Sequence, residues 1–245
     1  MKCNVADIGR SLIDLILPSR CVGCTQVLER TLPYAVCRSC ADSLRRCSPP
    51  LCPSCGTPYA DPAAADHLCE KCLLTPPPFV AARSVAAYEG VLQDMIHRCK
   101  YVGDTMVGET LGKMMADYSY HACDLSDYDV VIPVPLHTKR LRERGFNQSL
   151  LLARAFAKRY NKKLDYLSLV RSVHTPPQVS FGRRDREQSV KGAFQVRKMV
   201  ALEGRKVILV DDVYTTGSTV RECARTLRHA GAPSVTVLTL ARALY

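Results

Sequence analysis

Two adjacent carboxylates, Asp211 and Asp212, stand directly after the apolar run Val207-Ile208-Leu209-Val210. Shortly beyond them come Thr215, Thr216, Gly217, Ser218 and Thr219. The apolar run reads as a strand in the centre of a sheet, with the acids emerging at its carboxyl end, where open α/β sheets bind their ligands. The hydroxyls and the glycine lead straight into a helix expected over 218–230. The free N–H groups and macrodipole at its start attract an anion. This loop suits a single phosphate, and the paired carboxylates suit the vicinal hydroxyls of a sugar such as ribose. Other phosphate and acid motifs fit less well. The nearest approach to G-x-x-x-x-G-K-[ST], from Gly108 to Met114, is one residue short and ends in Met. No G-x-G-x-x-G is present. A receiver domain carries its paired acids near its start rather than here. A helix capped by hydroxyls would explain Thr216 or Ser218 but not the acids beside them.

The second chemical feature is cysteine. Thirteen are present, and eight form four Cys-x-x-Cys pairs. Cys21 and Cys24 are followed after 12 residues by Cys37 and Cys40, and Cys52 and Cys55 after 13 residues by Cys69 and Cys72. Each such turn lets two thiolates converge, so two turns complete a tetrahedral shell with Zn–S distances of about 2.3 Å. The repeat predicts two structural zinc ions, with redox pairs and an iron–sulfur cluster as weaker alternatives. A sequential and an interleaved pairing of the units use the same spacing. A closed four-thiolate shell keeps no open coordination position, so it holds a fold rather than doing chemistry. Cys3, Cys47, Cys99, Cys123 and Cys223 have no paired spacing and read as small core residues.

These features need a scaffold. The chain has 245 residues and an apolar fraction of 47%, enough for a packed domain plus a small module. Three prolines, Pro76, Pro77 and Pro78, form a stiff boundary. This divides the chain into residues 1–75, an N-terminal helix and double ribbon, and residues 79–245, the larger domain. Beyond the boundary, strands are expected over 80–88, 129–133, 164–170, 193–196, 207–210 and 234–240. Helices are expected over 91–101, 108–120, 147–160 and 218–230. This alternation argues for a parallel sheet covered by helices on both faces. The apolar stretch from Leu12 to Leu17 contains Asp14 and is too short to span a membrane, which takes roughly 20 apolar residues. It has no small-residue cleavage site, so a soluble cytoplasmic protein is expected. There thiols stay reduced and paired cysteines bind metal.

The net charge of +11 is concentrated. Residues 130–200 hold 16 Lys and Arg against four acids, while the rest of the chain is close to neutral. Two zinc tetrathiolates, each of net charge −2, would lower the whole-chain balance to about +7 and leave this segment untouched. The local excess accounts first for a polyphosphate ligand and second for nucleic acid.

The stretch from Val207 to Thr219 resembles the phosphoribosyl-pyrophosphate (PRPP) signature of type I phosphoribosyltransferases. Three further segments are similar to the ComF family: Pro133-Val134-Pro135-Leu136, the run from Lys139 to Gln148, and Gly192-Ala193-Phe194. So is a cysteine ribbon in front of the transferase domain. The resemblance covers nearly all of residues 12–242. It implies an α/β fold of the type I phosphoribosyltransferase kind, with a parallel sheet, flanking helices and a small N-terminal double zinc-ribbon module. It also implies that Asp211 and Asp212 bind the ribose hydroxyls, and that residues 215–219 hold the 5′-phosphate. The loop after Pro133, including Lys139 and Arg140, would face pyrophosphate, with Arg144 a further contact. A basic lid would run from Arg171 to Ser189, although Gln188-Ser189 stands where the family pattern leads one to expect an asparagine.

Through the family, the resemblance links the chain to natural competence, the uptake of transforming DNA. It implies PRPP with Mg2+ as ligand and a phosphoribosyl transfer that releases pyrophosphate. Purine and pyrimidine acceptors leave no readable signature, and Cys3 is not the N-terminal cysteine of a glutaminase. The alternative is a non-catalytic module built on this fold, binding single-stranded DNA or a competence helicase or recombination protein.

Overall fold

The computed structural model of the chain describes residues 18–28, 33–173, 190–197 and 202–244. Two short helices, α1 (Arg38–Asp42) and α2 (Glu70–Leu74), close the two cysteine units. The larger domain begins with β1 (Ala81–Ala87), α3 (Gly90–His97), a π-helical turn (Arg98–Val102) and α4 (Thr105–Asp117). It continues with β2 (Val130–Pro133), α5 (Thr138–Arg144), α6 (Gln148–Arg159) and the short β3 (Lys163–Leu164). Then come β4 (Leu169–Arg171), β5 (Phe194–Val196), β6 (Lys206–Tyr214), α7 (Ser218–His229) and β7 (Ser234–Arg242).

Five strands form one sheet in the order β1-β7-β6-β2-β3, with every pairing parallel. Val207 to Val210 lie in its middle and are fully buried, as expected of a strand covered on both faces. One core includes Leu111, Met115, Leu152, Phe156, Ile208 and Val210, and a second includes Leu169, Val207, Leu209, Cys223 and Leu227. Gly108 and Gly112, the glycines of the near-match to a phosphate loop, serve packing instead. A Cβ would stand 2.7 Å from the Leu151 side chain at Gly108 and 2.8 Å from Ala155 Cβ at Gly112, so both let α4 lie close on α6.

Two strand expectations change. The strand expected over 164–170 is broken in two. Asp165 Oδ1 accepts the N–H groups of Leu167 and Ser168, at 3.1 and 3.0 Å, and this local turn competes with the ladder. Its second half, β4, pairs antiparallel with β5 in a small separate sheet. The strand expected over 207–210 runs on to Tyr214, so the two acids lie within its paired length, with Asp211 opposite Thr239.

The first cysteine unit shares the main core, where Cys21, Val22, Val36, Cys40 and Leu44 pack with Val85 and Met95. The free edge of β1 is covered by the segment between the two cysteine units and by the start of the second unit. Cys47 N–H donates to Val85 O at 3.0 Å, Ala87 N–H to Arg45 O at 2.8 Å, and Ala82 N–H to Ser54 O at 2.7 Å. An edge strand capped in this way offers no template for pairing with another chain. Among the described residues no helix is long and apolar enough to cross a membrane.

Candidate functional site

The acid pair and the hydroxyl loop meet at the carboxyl ends of the central strands. Asp211 and Asp212 are 8% and 7% exposed. Asp211 Oδ1 accepts a hydrogen bond from Ser149 Oγ at 2.8 Å and one from Asp212 N–H at 2.9 Å. Ser149 is brought there by the start of α6. Its N-cap, Asn147, accepts Ser149 N–H through Oδ1 at 3.0 Å and donates Nδ2–H to Val134 O, also at 3.0 Å. One asparagine therefore starts the helix and ties down the loop that follows β2. Burial and the neighbouring Asp212 charge push the Asp211 carboxyl up to about 7, against the Ser149 hydroxyl, the Asp212 N–H and the Lys100 charge.

Asp212 Oδ2 is in ion contact with Lys100 Nζ, which comes from the π-turn. Burial disfavours the Lys100 ammonium, but Asp212 and Asp211 outweigh it and hold the group charged. Sequence reasoning missed Lys100 and Ser149. Both are remote from the acids in sequence, and neither stands in a motif that marks it as an acid partner. A short stretch of π-helix is itself a frequent companion of functional sites, but periodicity alone does not show it.

The hydroxyl loop leads directly into α7. Thr216 Oγ1 and Ser218 Oγ are 2.7 Å apart, and Ser218 N–H points at Thr216 Oγ1 at 3.4 Å. Gly217 is the N-cap of α7, with φ +80° and no side-chain cap, so the first N–H groups of the helix face a loop of small residues. Thr215 is exposed, Thr216 is buried, and Ser218 and Thr219 are half-buried. Of the basic residues, Lys139 and Arg140 lie on α5 rather than in a loop. The loop after β2 spans only residues 134–137, and His137 Nδ1 caps the helix by accepting Lys139 N–H at 3.2 Å. Arg144, at the end of α5, donates to Gln148 Oε1 at 2.6 Å and lies over the Tyr101 ring at 5.7 Å. Of the expected lid, residues 174–189 lie outside the described residues.

The thiolates assemble sequentially. Cys21, Cys24, Cys37 and Cys40 form one cluster, and Cys52, Cys55, Cys69 and Cys72 the other, with all sulfurs of a cluster within 4.8 Å of one another. Cys24 and Cys37 sulfurs are 3.5 Å apart, and those of Cys55 and Cys69 are 3.6 Å apart. A tetrahedral zinc with 2.3 Å bonds sets its sulfurs roughly 3.8 Å apart, so both clusters fit the ion. Backbone N–H groups orient the sulfurs from behind, from Cys37 to Cys21 Sγ at 3.2 Å and from Cys69 to Cys52 Sγ at 3.4 Å. By contrast, burial pushes the thiols of Cys47 and Cys99 up to about 11 and raises those of Cys123 and Cys223. In all four, burial disfavours the thiolate form.

Comparison with known proteins agrees with this two-part layout. Residues 12–73 match the double zinc ribbon domain, and residues 147–244 match the phosphoribosyl transferase domain. The DNA utilization protein YhgH of Escherichia coli O6:H1 is 34% identical over 94% of this chain and 100% of its own length. Competence protein ComFC of Bacillus subtilis is 30% identical over 84% of each. Competence protein F of Haemophilus influenzae is 31% identical over 91% of this chain and 97% of its own length. The chain belongs to the ComF family. As a ComF chain it carries a phosphoribosyltransferase-type parallel sheet with flanking helices, behind a double ribbon with two four-cysteine zinc sites. The family link to competence and DNA uptake expected from the sequence stands with it.

Proposed function

We propose that this ComF chain binds PRPP and transfers its phosphoribosyl group, as part of DNA uptake. The observation that carries this reading is the convergence of two buried carboxylates and a glycine-capped hydroxyl loop at one end of β6 and the start of α7. Asp211 and Asp212 would accept the ribose hydroxyls. The loop from Thr215 to Thr219 would take the 5′-phosphate through its hydroxyls and the N–H groups of α7. Lys139, Arg140 and Arg144 on α5 would face the pyrophosphate. Magnesium would enter with PRPP and supply charge neutralisation on the diphosphate. In the transfer, the bond from C1′ to the pyrophosphate oxygen breaks and its electron pair leaves with that oxygen. The acceptor's lone pair forms the new bond to C1′, and its proton passes to solvent. The transition state carries positive charge at C1′, which the acid pair offsets while the basic residues stabilise the leaving diphosphate.

Calorimetry of the zinc-loaded chain with PRPP and magnesium tests the reading. Saturable binding is expected, with loss of at least a factor of ten in affinity in D211N/D212N. Equal binding by the two proteins would remove the site assignment.

A second reading, a nucleic-acid-binding module of the uptake machinery with or without catalysis, is favoured by a basic cavity of about 720 Å³ beside the loop. Lys71, Lys191, Arg221, Arg225 and His229 line it together with Ser218 and one acid, Glu222, which is in ion contact with Arg225. The exposed Arg142 and Lys158 add charge on α5 and α6. Salt-dependent binding of single-stranded DNA, weakened by neutralising either set, supports this reading. Affinity unchanged by both sets removes it.

A further inference from the structure

Two adjacent buried carboxylates at the end of a sheet are an obvious seat for a hard divalent cation, which takes oxygen ligands readily. In this chain that seat is already filled. Lys100 lies in the π-turn that links α3 to Gly103, whose left-handed φ of +77° ends the turn. The turn sends Cys99 into the core and leaves Tyr101 exposed, while Lys100 between them reaches Asp212. The ion contact is shielded, with the Lys100 and Asp212 side chains 17% and 10% exposed. The charged and titratable groups around the ammonium are Asp212 and Asp211 from β6 and Tyr88 just after β1. Ile96, Cys99, Leu111, Gln148 and Leu152 line a small pocket against the pair.

We propose that Lys100 is the resident cation of the acid pair and excludes a divalent ion from it. An ammonium serves the pair differently from a metal. It neutralises Asp212 from one side without demanding a coordination shell, and it leaves the remaining carboxylate oxygens to accept hydroxyl hydrogens. A protein-bound divalent ion would take those oxygens as ligands and bring its own waters. Resting on the PRPP reading, this leaves the acid pair with no divalent ion of its own, so that magnesium enters the site only with the substrate. Lys100 is then a specificity element as well as a counter-ion. It tunes the acids toward a neutral diol.

The test uses Mn2+ alone, followed by its electron paramagnetic resonance signal, on the zinc-loaded full chain without PRPP. The wild type and D211N/D212N are expected to bind Mn2+ alike. K100M is expected to gain a site at least tenfold tighter than any in the wild type, and this site should vanish when D211N/D212N is added. K100R, which restores a cation, should behave as the wild type does. A wild-type Mn2+ site that D211N/D212N removes would overturn the proposal without any Lys100 variant, so the test survives a K100M that fails to fold. A folded K100M with no new site overturns it equally. Because PRPP is absent throughout, the two ideas fail separately. A wild type that excludes Mn2+ yet does not bind PRPP removes the transfer reading and leaves the role of Lys100 standing.

Discussion

Lys71 Nζ donates a hydrogen bond to the Thr216 carbonyl across 2.8 Å, joining the second zinc ribbon to the hydroxyl loop before α7. Lys71 lies between two thiolate ligands, Cys69 and Cys72, so its backbone position is set by the metal cluster. A second route runs parallel to it. Arg242, at the end of β7, donates to Cys55 O at 2.7 Å and Thr57 Oγ1 at 2.6 Å, and its guanidinium stacks on Tyr214 at 4.2 Å. Tyr214 in turn lies directly under Gly217. The ribbon is thereby a brace for the loop as well as a separate metal module. K71M is expected to keep two zinc ions per chain while weakening PRPP binding about fivefold, the equivalent of roughly 1 kcal/mol for one hydrogen bond. Zinc analysis beside calorimetry checks both halves, and unchanged affinity would show the brace to be idle.

Gly217 makes the loop sensitive to a single methyl group. Its φ of +80° suits glycine, and a Cβ there would stand 2.3 Å from Tyr214 Oη and 2.6 Å from Cζ. The ring cannot retreat easily, since Tyr214 is buried under Arg242. G217A is therefore expected to displace the loop or the tyrosine and to cost about 1–3 kcal/mol in stability. PRPP binding should fall by at least a factor of ten, read by calorimetry alongside a denaturant melt. A G217A protein with wild-type affinity would show that the loop does not hold the phosphate.

Gly56 plays the matching part in the ribbon. It has φ +73°, and a Cβ would meet the Ala82 carbonyl oxygen of β1 at 2.2 Å. That neighbour is backbone in a five-stranded sheet and cannot yield, whereas the Ala82 N–H is already committed to Ser54 O. G56A should part the second ribbon from β1 and lower the melting temperature by several degrees for each kcal/mol lost. Thermal unfolding of the zinc-loaded protein reads it directly, and an unshifted melting temperature would contradict the close docking.

How much of this was legible in the sequence depends on the range of the forces involved. The helix from Ser218 and the two cysteine clusters are written in local spacing and form where that spacing puts them, and so does the strand from Val207, although it runs on to Tyr214. The division over 164–170 turns on the side chain of Asp165, which takes the N–H groups of Leu167 and Ser168 into a local turn, a choice that the residue type alone does not dictate. The sequence left sequential and interleaved thiolate pairing open, and three-dimensional packing decides for the sequential one. Lys100 and Ser149 were invisible as partners of the acids for a related reason. Their roles come from where α6 and a π-turn end against β6, a relationship between elements that no short motif encodes.

Asp211 makes stability depend on pH in a direction opposite to that of most carboxylates. Burial first, and the Asp212 charge second, push its carboxyl up to about 7. In the unfolded chain an aspartate titrates near 3.9. Between those values the native state keeps a proton that the unfolded state has released, so stability falls as pH rises. The full contribution is present below about pH 4, declines through the window from 4 to 7, and is constant above it. D211N removes this titration. The stability of the wild type relative to D211N is therefore expected to drop by on the order of 2–4 kcal/mol between pH 4 and pH 7. Urea melts of the two proteins at unit pH steps measure it. Acid release of zinc from the thiolate clusters affects both alike and cancels in the difference. Parallel profiles for the two proteins would mean that Asp211 is ionised throughout, and that Lys100 neutralises both acids rather than Asp212 alone.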